Sequence, residues 1–121
     1  MKKDEVVEQL LKSSNEYGVV ATLDKVYGKC VKVSIPFSKK MCETSIDELD
    51  FSVRANNSMK RAGVFTIGEI IDLIANDEIS RIRNLGKKTE NEIKTRILVF
   101  GYEKLTEVEK KHFFYNVVSN L

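Results

Sequence analysis

The sequence from residue 45 onward is divided into short helices by closely spaced start and stop signals. A hydroxyl residue followed three positions later by a glutamate can form a capping box, which satisfies free N–H groups at a helix N-terminus. Three such pairs occur: Ser45 with Glu48, Thr66 with Glu69, and Thr106 with Glu109. Helices this short are unstable alone and must bury apolar faces against one another. We therefore expect a mainly α-helical fold, a compact bundle of short helices.

The apolar spacing predicts where these helices lie and which faces they bury. Besides the helix that begins after Thr66, the predicted helices span residues 53–62, 77–83, 90–100 and 107–118. Ser52 is the predicted cap of the first of these, and Gly63 and Gly101 are predicted stops. The helix that begins after Thr66 is predicted to bury Ile67, Ile70, Ile71 and Ile74. The last helix is predicted to bury Leu105, Val108, Phe113 and Val117.

The run Asn84-Leu85-Gly86-Lys87-Lys88-Thr89 is the most informative motif of the sequence. Gly86 allows a sharp backbone turn, and Thr89 can cap the following helix, with Glu92 completing a capping box. The two lysines then lie beside the free N–H groups and the positive dipole end of a helix, an arrangement that binds anions such as DNA phosphate. A solvated turn whose lysines only aid solubility is the alternative interpretation.

The charges around this motif are unevenly distributed, although the formal net charge is only +2. Residues 69–78 contain four acids and no base, and residues 79–89 contain four bases and no acid. One face is therefore suited to phosphates and another faces away from them. Residues 79–97 predict a helix–hairpin–helix, in which a backbone turn grips a phosphate, although such charge blocks are also common on ordinary solvated surfaces.

The N-terminal region has a different pattern. Residues 3–17 predict an amphipathic helix with Val6, Val7, Leu10 and Leu11 on one face and Gly18 as its stop. Residues 19–23 and 29–35 predict two strands of a β-hairpin, with the turn at 24–28. Residues 1–44 are thus predicted to be a small α+β appendage, and residues 45–121 a helical domain. The appendage would either pack on the helical core or dimerise the protein, and both readings stay open.

Composition excludes several classes of protein. At 121 residues and 42% apolar content, the sequence is sufficient for the core of one domain, with or without an appendage. No apolar run approaches the length of a membrane span, and Lys2 to Glu5 are unlike a secretory signal. Two cysteines do not indicate a disulfide framework, so a reducing cytoplasm is the expected location, and no membrane partner is expected.

Catalysis has little support in the sequence. The single histidine, His112, lies beside Phe113 and Phe114 in a predicted helix, where a packed or surface role is typical. A zinc site built from Cys30, Cys42 and His112 lacks the paired-ligand spacing of such sites. No phosphate-binding loop or dinucleotide fingerprint is present. We expect no cofactor, no metal and no enzymatic activity.

Two separated motifs resemble one known family. The first motif is residues 48–54 (Glu-Leu-Asp-Phe-Ser-Val-Arg) followed by Asn57 and residues 59–63, and the second is the Gly86 motif with Glu92. Both are similar, in order and nearly in spacing, to the C-terminal domain of the bacterial RNA polymerase alpha subunit. The resemblance covers about residues 45 to 101. It implies a compact bundle of short helices that binds the minor groove of A/T-rich double-stranded promoter DNA. It also implies partners among RNA polymerase, the sigma factor and transcription activators.

The resemblance also implies roles for individual residues. The DNA-binding residues of the family fall here on Arg54, Asn57, Gly86, Lys88, Thr89 and Glu92. Among them, Arg54 corresponds to the arginine that enters the minor groove. Glu48 and Asp50 correspond to an acidic patch that faces sigma, although either acid could instead pair with Arg54.

The sequence also departs from the family. Ser58 stands where a cysteine is frequent, and Thr89 replaces the usual serine but keeps the hydroxyl. Residues 1–44 are too short to be the large N-terminal domain of the alpha subunit. Two functions therefore stay open. The first is a DNA-binding transcription module, and the second is a docking adaptor on the same fold that binds sigma, an activator or RNA polymerase without DNA.

Overall fold

The computed structural model describes residues 2–27 and 37–119, and it is mainly helical over those ranges. Its α-helices are α1 (Lys3–Tyr17), α2 (Val19–Tyr27), α3 (Lys39–Cys42), α4 (Val53–Arg61), α5 (Ile67–Ala75), α6 (Lys87–Glu103) and α7 (Glu107–Ser119). Single 3₁₀ turns occur at Ile46–Glu48 and Ile79–Arg81. None of the helices described is long and apolar enough to cross a membrane.

The described residues form two compact units. One contains residues 2–27 and 101–119, and the other contains residues 37–100. The predicted class, a mainly α-helical bundle of short helices, is confirmed. The assignment of residues 1–44 and 45–121 to separate domains stays a prediction.

The predicted N-terminal β-hairpin is not supported. Residues 19–23, predicted to be its first strand, lie in α2, which continues through the predicted turn to Tyr27. Val19, Thr22 and Leu23 are all buried, at the i, i+3, i+4 spacing of one helix face. Burial on that face outweighs the modest preference of valine and threonine for strands. The second predicted strand, 29–35, lies outside the described residues.

The first unit is formed by α1, α2 and α7, with α1 packed against both of the others. The predicted helix over residues 3–17 is confirmed, and Gly18, at φ 94°, ends it. Tyr102, Phe113 and Phe114 pack edge to face, with ring centroids 5.1 to 5.9 Å apart. The buried Ser14 hydroxyl donates a hydrogen bond to the Tyr102 oxygen at 2.8 Å, so the phenol has a polar partner within an aromatic core.

A polar seam joins the exposed edges of α1 and α7. Glu8 and Lys111 form an ion pair with a 3.0 Å separation. Lys3 donates to Ser119, and Tyr115 donates to Asp4. On α7 the three residues are four positions apart, and their partners on α1 follow in the opposite direction along the sequence, so the pairs fix the register of an antiparallel pair. Exposed ion pairs add little stability, and the aromatic core carries most of the packing.

The second unit has a continuous apolar core. The isoleucine stripe of α5 is confirmed, because Ile67 and Ile70 are fully buried and Ile71 and Ile74 pack partly buried against the same core. The capping box of Thr66 and Glu69 is present. The Ser52 hydroxyl caps α4 by accepting from the Ala55 N–H at 3.1 Å. In the first unit, the reciprocal bonds of Thr106 and Glu109 are likewise present, at 2.9 and 3.2 Å.

Four local predictions are wrong. Ser45 caps a 3₁₀ turn by accepting from the Asp47 N–H, so no box forms with Glu48. The predicted helix over 77–83 is the single 3₁₀ turn at Ile79–Arg81. Gly101 does not end α6, since it is buried within the helix, which continues to Glu103. Val108, predicted to be buried, is 80% exposed, and Phe114 is buried in the core of the first unit.

A close approach between α3 and α5 depends on Gly68. A Cβ added to Gly68 would lie 2.9 Å from the Cys42 Cβ and 3.0 Å from the Cys42 carbonyl oxygen. Neither group is the end of a flexible side chain, so the two segments would have to separate. Absence of a side chain at this position therefore sets the distance between the two helices.

We expect Gly68→Ala to lower the free energy of unfolding by about 1–3 kcal/mol, the usual cost of overpacking. Alanine otherwise stabilises a helix relative to glycine by about 1 kcal/mol, so the sign of the change identifies the clash. Urea unfolding followed by circular dichroism measures it. Asp72→Ala, at an exposed position of α5, is the matched control and should change stability little. A more stable Gly68→Ala variant would contradict the close approach.

Tyr102 makes the first unit sensitive to alkaline pH. Burial raises the pKa of Tyr102, and the hydrogen bond from Ser14 only partly opposes this. The folded state therefore favours the neutral phenol. Its stabilising contribution is complete below the unfolded pKa of about 10 and is lost as pH rises through the higher folded pKa.

We expect Tyr102→Phe to remove this alkaline loss. The free energy of unfolding of the wild type should fall, relative to Tyr102→Phe, as pH rises above about 10. Below that pH the wild type should keep the advantage of its hydrogen bond. Urea titrations at several pH values measure the difference, and Tyr17→Phe, at a tyrosine that is 63% exposed, is the control. Parallel pH profiles for wild type and Tyr102→Phe would show that the phenol has no such role.

Candidate nucleic-acid interface

The Gly86 turn is held in place by one buried side chain between two left-handed residues. Asn84 has φ 60° and Gly86 has φ 74°, and Leu85 between them is only 3% exposed. Leu85 belongs to the apolar core of the second unit. Its burial fixes the turn, while the backbone on either side of it stays exposed.

Helix α6 begins directly after this turn. The Gly86 carbonyl accepts the Glu90 N–H at 3.0 Å, which closes the first turn of the helix. Lys87 and Lys88 are therefore the first two helical residues, and both are exposed. This places their charges and free N–H groups at the positive end of the α6 dipole, where an anion is favoured.

Two predictions about this segment, the Thr89 cap and its capping box with Glu92, are wrong, and a third is not shown. Thr89 does not cap the helix, because α6 begins two residues earlier and buries Thr89 to 7% exposure. Glu92 therefore forms no capping box with Thr89. A single 3₁₀ turn precedes Gly86 where a helix was predicted, so the structure does not show a helix–hairpin–helix.

Glu92 instead binds the N-terminus of α4. One carboxylate oxygen accepts the Ser52 N–H at 2.7 Å, and the other accepts the Ser52 hydroxyl at 2.8 Å. Ser52 is the residue that sequence analysis missed as part of this site. Its capping role was predicted, but its partner is 40 positions away, and no local spacing rule indicates such a pair.

An open hollow of about 420 Å³ lies between the start of α4 and the start of α6. It is lined by Ser52, Arg54, Leu85, Gly86, Lys87, Lys88, Thr89 and Glu92. The structure thus brings together five of the six residues predicted to bind DNA. The sixth, Asn57, is exposed on α4 but does not line the hollow.

The charges that line the hollow are mainly positive. Arg54, Lys87 and Lys88 face a single carboxylate, Glu92, which is already bonded to Ser52. Lys87 lies 3.6 Å from the buried carboxylate of Glu90, which also has Lys94 at 3.7 Å. Within residues 2–27 and 37–119, neither Arg54 nor Lys88 has a carboxylate partner. The alternative in which Arg54 pairs with Glu48 or Asp50 is therefore not observed, and both cations remain available to an anion.

The acidic residues predicted to dock sigma lie outside the hollow. Glu48 ends the first 3₁₀ turn and Asp50 follows it, and both side chains are exposed. The neighbouring Asp47 is paired with Lys60 at 2.8 Å. No group of three potential metal-binding side chains is found among the residues that the structure describes. Cys42 lies on α3, and Cys30 of the rejected zinc site lies outside the described residues.

Comparison with known proteins agrees with the resemblance found in the sequence. The family model of the C-terminal domain of the bacterial RNA polymerase alpha chain matches residues 35–98, just over half of the protein. Similar proteins include the DNA-directed RNA polymerase subunit alpha of Symbiobacterium thermophilum, which is 47% identical over 62 residues, 51% of this chain and 19% of that protein. The same subunit of Syntrophomonas wolfei is 50% identical over 60 residues, 48% of this chain and 18% of that protein.

The subunit alpha of Limosilactobacillus reuteri is 46% identical over 63 residues, 52% of this chain and 20% of that protein. The chain therefore matches about a fifth of the length of these curated relatives. No solved structure matches it significantly. The predicted resemblance is confirmed, and the chain belongs to the family of C-terminal domains of bacterial RNA polymerase alpha subunits.

Proposed function

We propose that this protein is a DNA-binding transcription module that contacts the minor groove and the phosphates of A/T-rich promoter DNA. The observation that carries the proposal is the shared hollow of Arg54 and the Gly86–Lys88 turn, in which Arg54 and Lys88 lack carboxylate partners in the described structure. Paired surface cations are already neutralised, whereas these two can exchange solvent and counterions for DNA phosphate.

Arg54 is suited to the minor groove. It lies in the first turn of α4, and its side chain is exposed at the edge of the hollow. The narrow minor groove of an A-tract concentrates negative potential and attracts an inserted arginine. Asn57, also exposed, follows three positions later on the same helix, where a polar side chain can contact the adjacent sugar or phosphate.

The start of α6 is suited to a phosphate. Gly86 exposes its backbone, and Lys88 supplies a charge beside the free N–H groups of a 17-residue helix. Contacts of this kind fix the position of a protein on DNA without reading its sequence. Thr89 is nearly buried, so its proposed part is to line the base of the hollow beneath the phosphate.

The proposed module works as part of a larger assembly. The homologous domain is non-catalytic, and catalysis in RNA polymerase lies in other subunits. RNA polymerase and promoter DNA are accordingly the proposed partners, and the proposed location is the cytoplasm, at the nucleoid. A single module with two or three phosphate contacts should bind weakly, with a dissociation constant of roughly 10⁻⁴ to 10⁻⁶ M.

Protein docking is a second candidate function. Glu48 and Asp50 are exposed, and neither has an ion-pair partner within the ranges that the structure describes. Two free carboxylates close together on a surface suit a basic partner such as a face of the sigma factor. This function and DNA binding use different residues, so single variants can separate them.

We expect Arg54→Ala and Lys88→Ala each to weaken binding to an A/T-rich duplex about five- to tenfold at low salt. Each should also lower the slope of log K against log salt by about one, because one cation that displaces counterions from the DNA is lost. Fluorescence anisotropy measures both quantities. Arg61→Ala removes an exposed arginine from the far end of α4 and is the matched control. Titrations of both hollow variants that superimpose on the wild type would remove the DNA-binding proposal.

We expect charge reversal by Glu48→Lys with Asp50→Lys to abolish retention on immobilised RNA polymerase holoenzyme, since it replaces attraction by repulsion. The same protein should keep its affinity for the A/T-rich duplex. Nuclease treatment of the sample excludes bridging by DNA, and Asp72→Lys with Glu16→Lys, two exposed acids outside the patch, controls for the change of four charges. Equal retention of the reversed and wild-type proteins would exclude docking through this patch.

A further inference from the structure

We propose that Glu92 is a positioning residue for Arg54, and that it acts through Ser52 without touching DNA. The inference rests on the proposed DNA-binding function and assigns a mechanism to one residue of the same site. It arises from the two hydrogen bonds, of 2.7 and 2.8 Å, that join Glu92 to the N-cap of α4.

The first turn of α4 has an incomplete capping box. The Ser52 hydroxyl accepts the Ala55 N–H, as a capping residue does. In a complete box the residue at the third helical position returns a carboxylate to the N–H of the cap. Here that position is Ala55, which is fully buried in the core and has no carboxylate. The cap N–H would therefore have no partner from its own helix.

Glu92 supplies the missing carboxylate from a different helix. Both of its oxygens are bonded to Ser52, one to the N–H and one to the hydroxyl. Charge-assisted hydrogen bonds of this length are about twice as strong as neutral ones, and the negative charge also favours the positive end of the α4 dipole. The capping box of α4 is thus completed across the hollow.

This contact links the two parts of the candidate interface. Ser52 lies two residues before Arg54, and Glu92 lies four residues after Lys88 on α6. Two hydrogen bonds to one residue fix both the distance and the rotation of the first turn of α4 relative to α6. Arg54 is thereby held at a set position with respect to the Gly86 turn, as simultaneous contact with a groove and a phosphate requires.

Electrostatics alone predicts the opposite effect for Glu92. A carboxylate beside phosphate-binding cations repels DNA, so its removal should strengthen binding. If Glu92 positions Arg54, its removal should weaken binding despite the loss of a repulsive charge. The sign of the change in affinity therefore separates the two roles.

The experiment measures anisotropy of a labelled A/T-rich duplex, over a range of salt, with the whole 121-residue chain. We expect Glu92→Ala to weaken binding about five- to tenfold, on the order of the loss of one or two hydrogen bonds. The salt dependence should match that of the wild type, because Arg54 still contacts DNA and only its pre-organisation is lost. Asp72→Ala, which removes an exposed acid from α5, is the matched control and should bind with unchanged or slightly raised affinity.

Conservative variants test the geometry. The amide of Glu92→Gln can accept the Ser52 N–H and donate to its hydroxyl, so this variant should bind more tightly than Glu92→Ala. Ser52→Ala keeps the N–H bond alone and should lose part of the affinity. The losses in binding free energy of Ser52→Ala and Glu92→Ala should add to less than their sum in the double variant, because both remove the bond between the Ser52 hydroxyl and the carboxylate, although Ser52→Ala also removes the cap on the Ala55 N–H. Circular dichroism confirms that each variant is folded at the binding temperature.

Each outcome bears on the inference. Binding by Glu92→Ala that equals or exceeds that of the wild type overturns the positioning role, while leaving the DNA-binding proposal intact. Equal losses in Glu92→Ala and Glu92→Gln also overturn it, since restored hydrogen bonds to Ser52 would then recover no affinity. A wild-type protein that does not bind the duplex removes the proposed function, and the inference fails with it.

Discussion

The candidate interface depends on the burial of Leu85. A turn with left-handed residues on both sides would not persist on its own, and the apolar core holds it by one side chain. With Leu85 fixed, α6 must begin at Lys87, and the first two lysines must project into solvent. The same core contains Ala55 of α4, so packing alone brings the starts of the two helices to one hollow. The polar contacts then refine an arrangement that apolar burial has already produced.

Interactions within a few residues could be predicted from the sequence. The helix over residues 3–17, the caps at Ser52 and Thr66 and the isoleucine stripe of α5 all follow from local spacing, and all are present. The Gly86 turn is also a local feature, since glycine favours left-handed backbone. Asn84, two residues earlier, also has a left-handed backbone, which asparagine tolerates better than most residues.

Interactions between distant residues could not be predicted in this way. Glu92 satisfies the spacing rule for a capping box with Thr89, yet it bonds to Ser52, because α6 starts before Thr89 and leaves no cap there to complete. Val19 to Leu23 have the composition of a strand, yet they form a helix because their buried face has a partner in α1. Only the assembled core decides between such local alternatives.

The contact between Gly68 and Cys42 has a consequence for how this fold can vary. The helix backbone at position 68 lies so close to position 42 that there is no space for a side chain at position 68 while Cys42 keeps its place. A larger residue at the first position requires the second segment to retreat, and that segment leads directly into the bridge between Ser45 and Thr66. The two positions should therefore change together among descendants of this sequence, even though neither one faces the hollow.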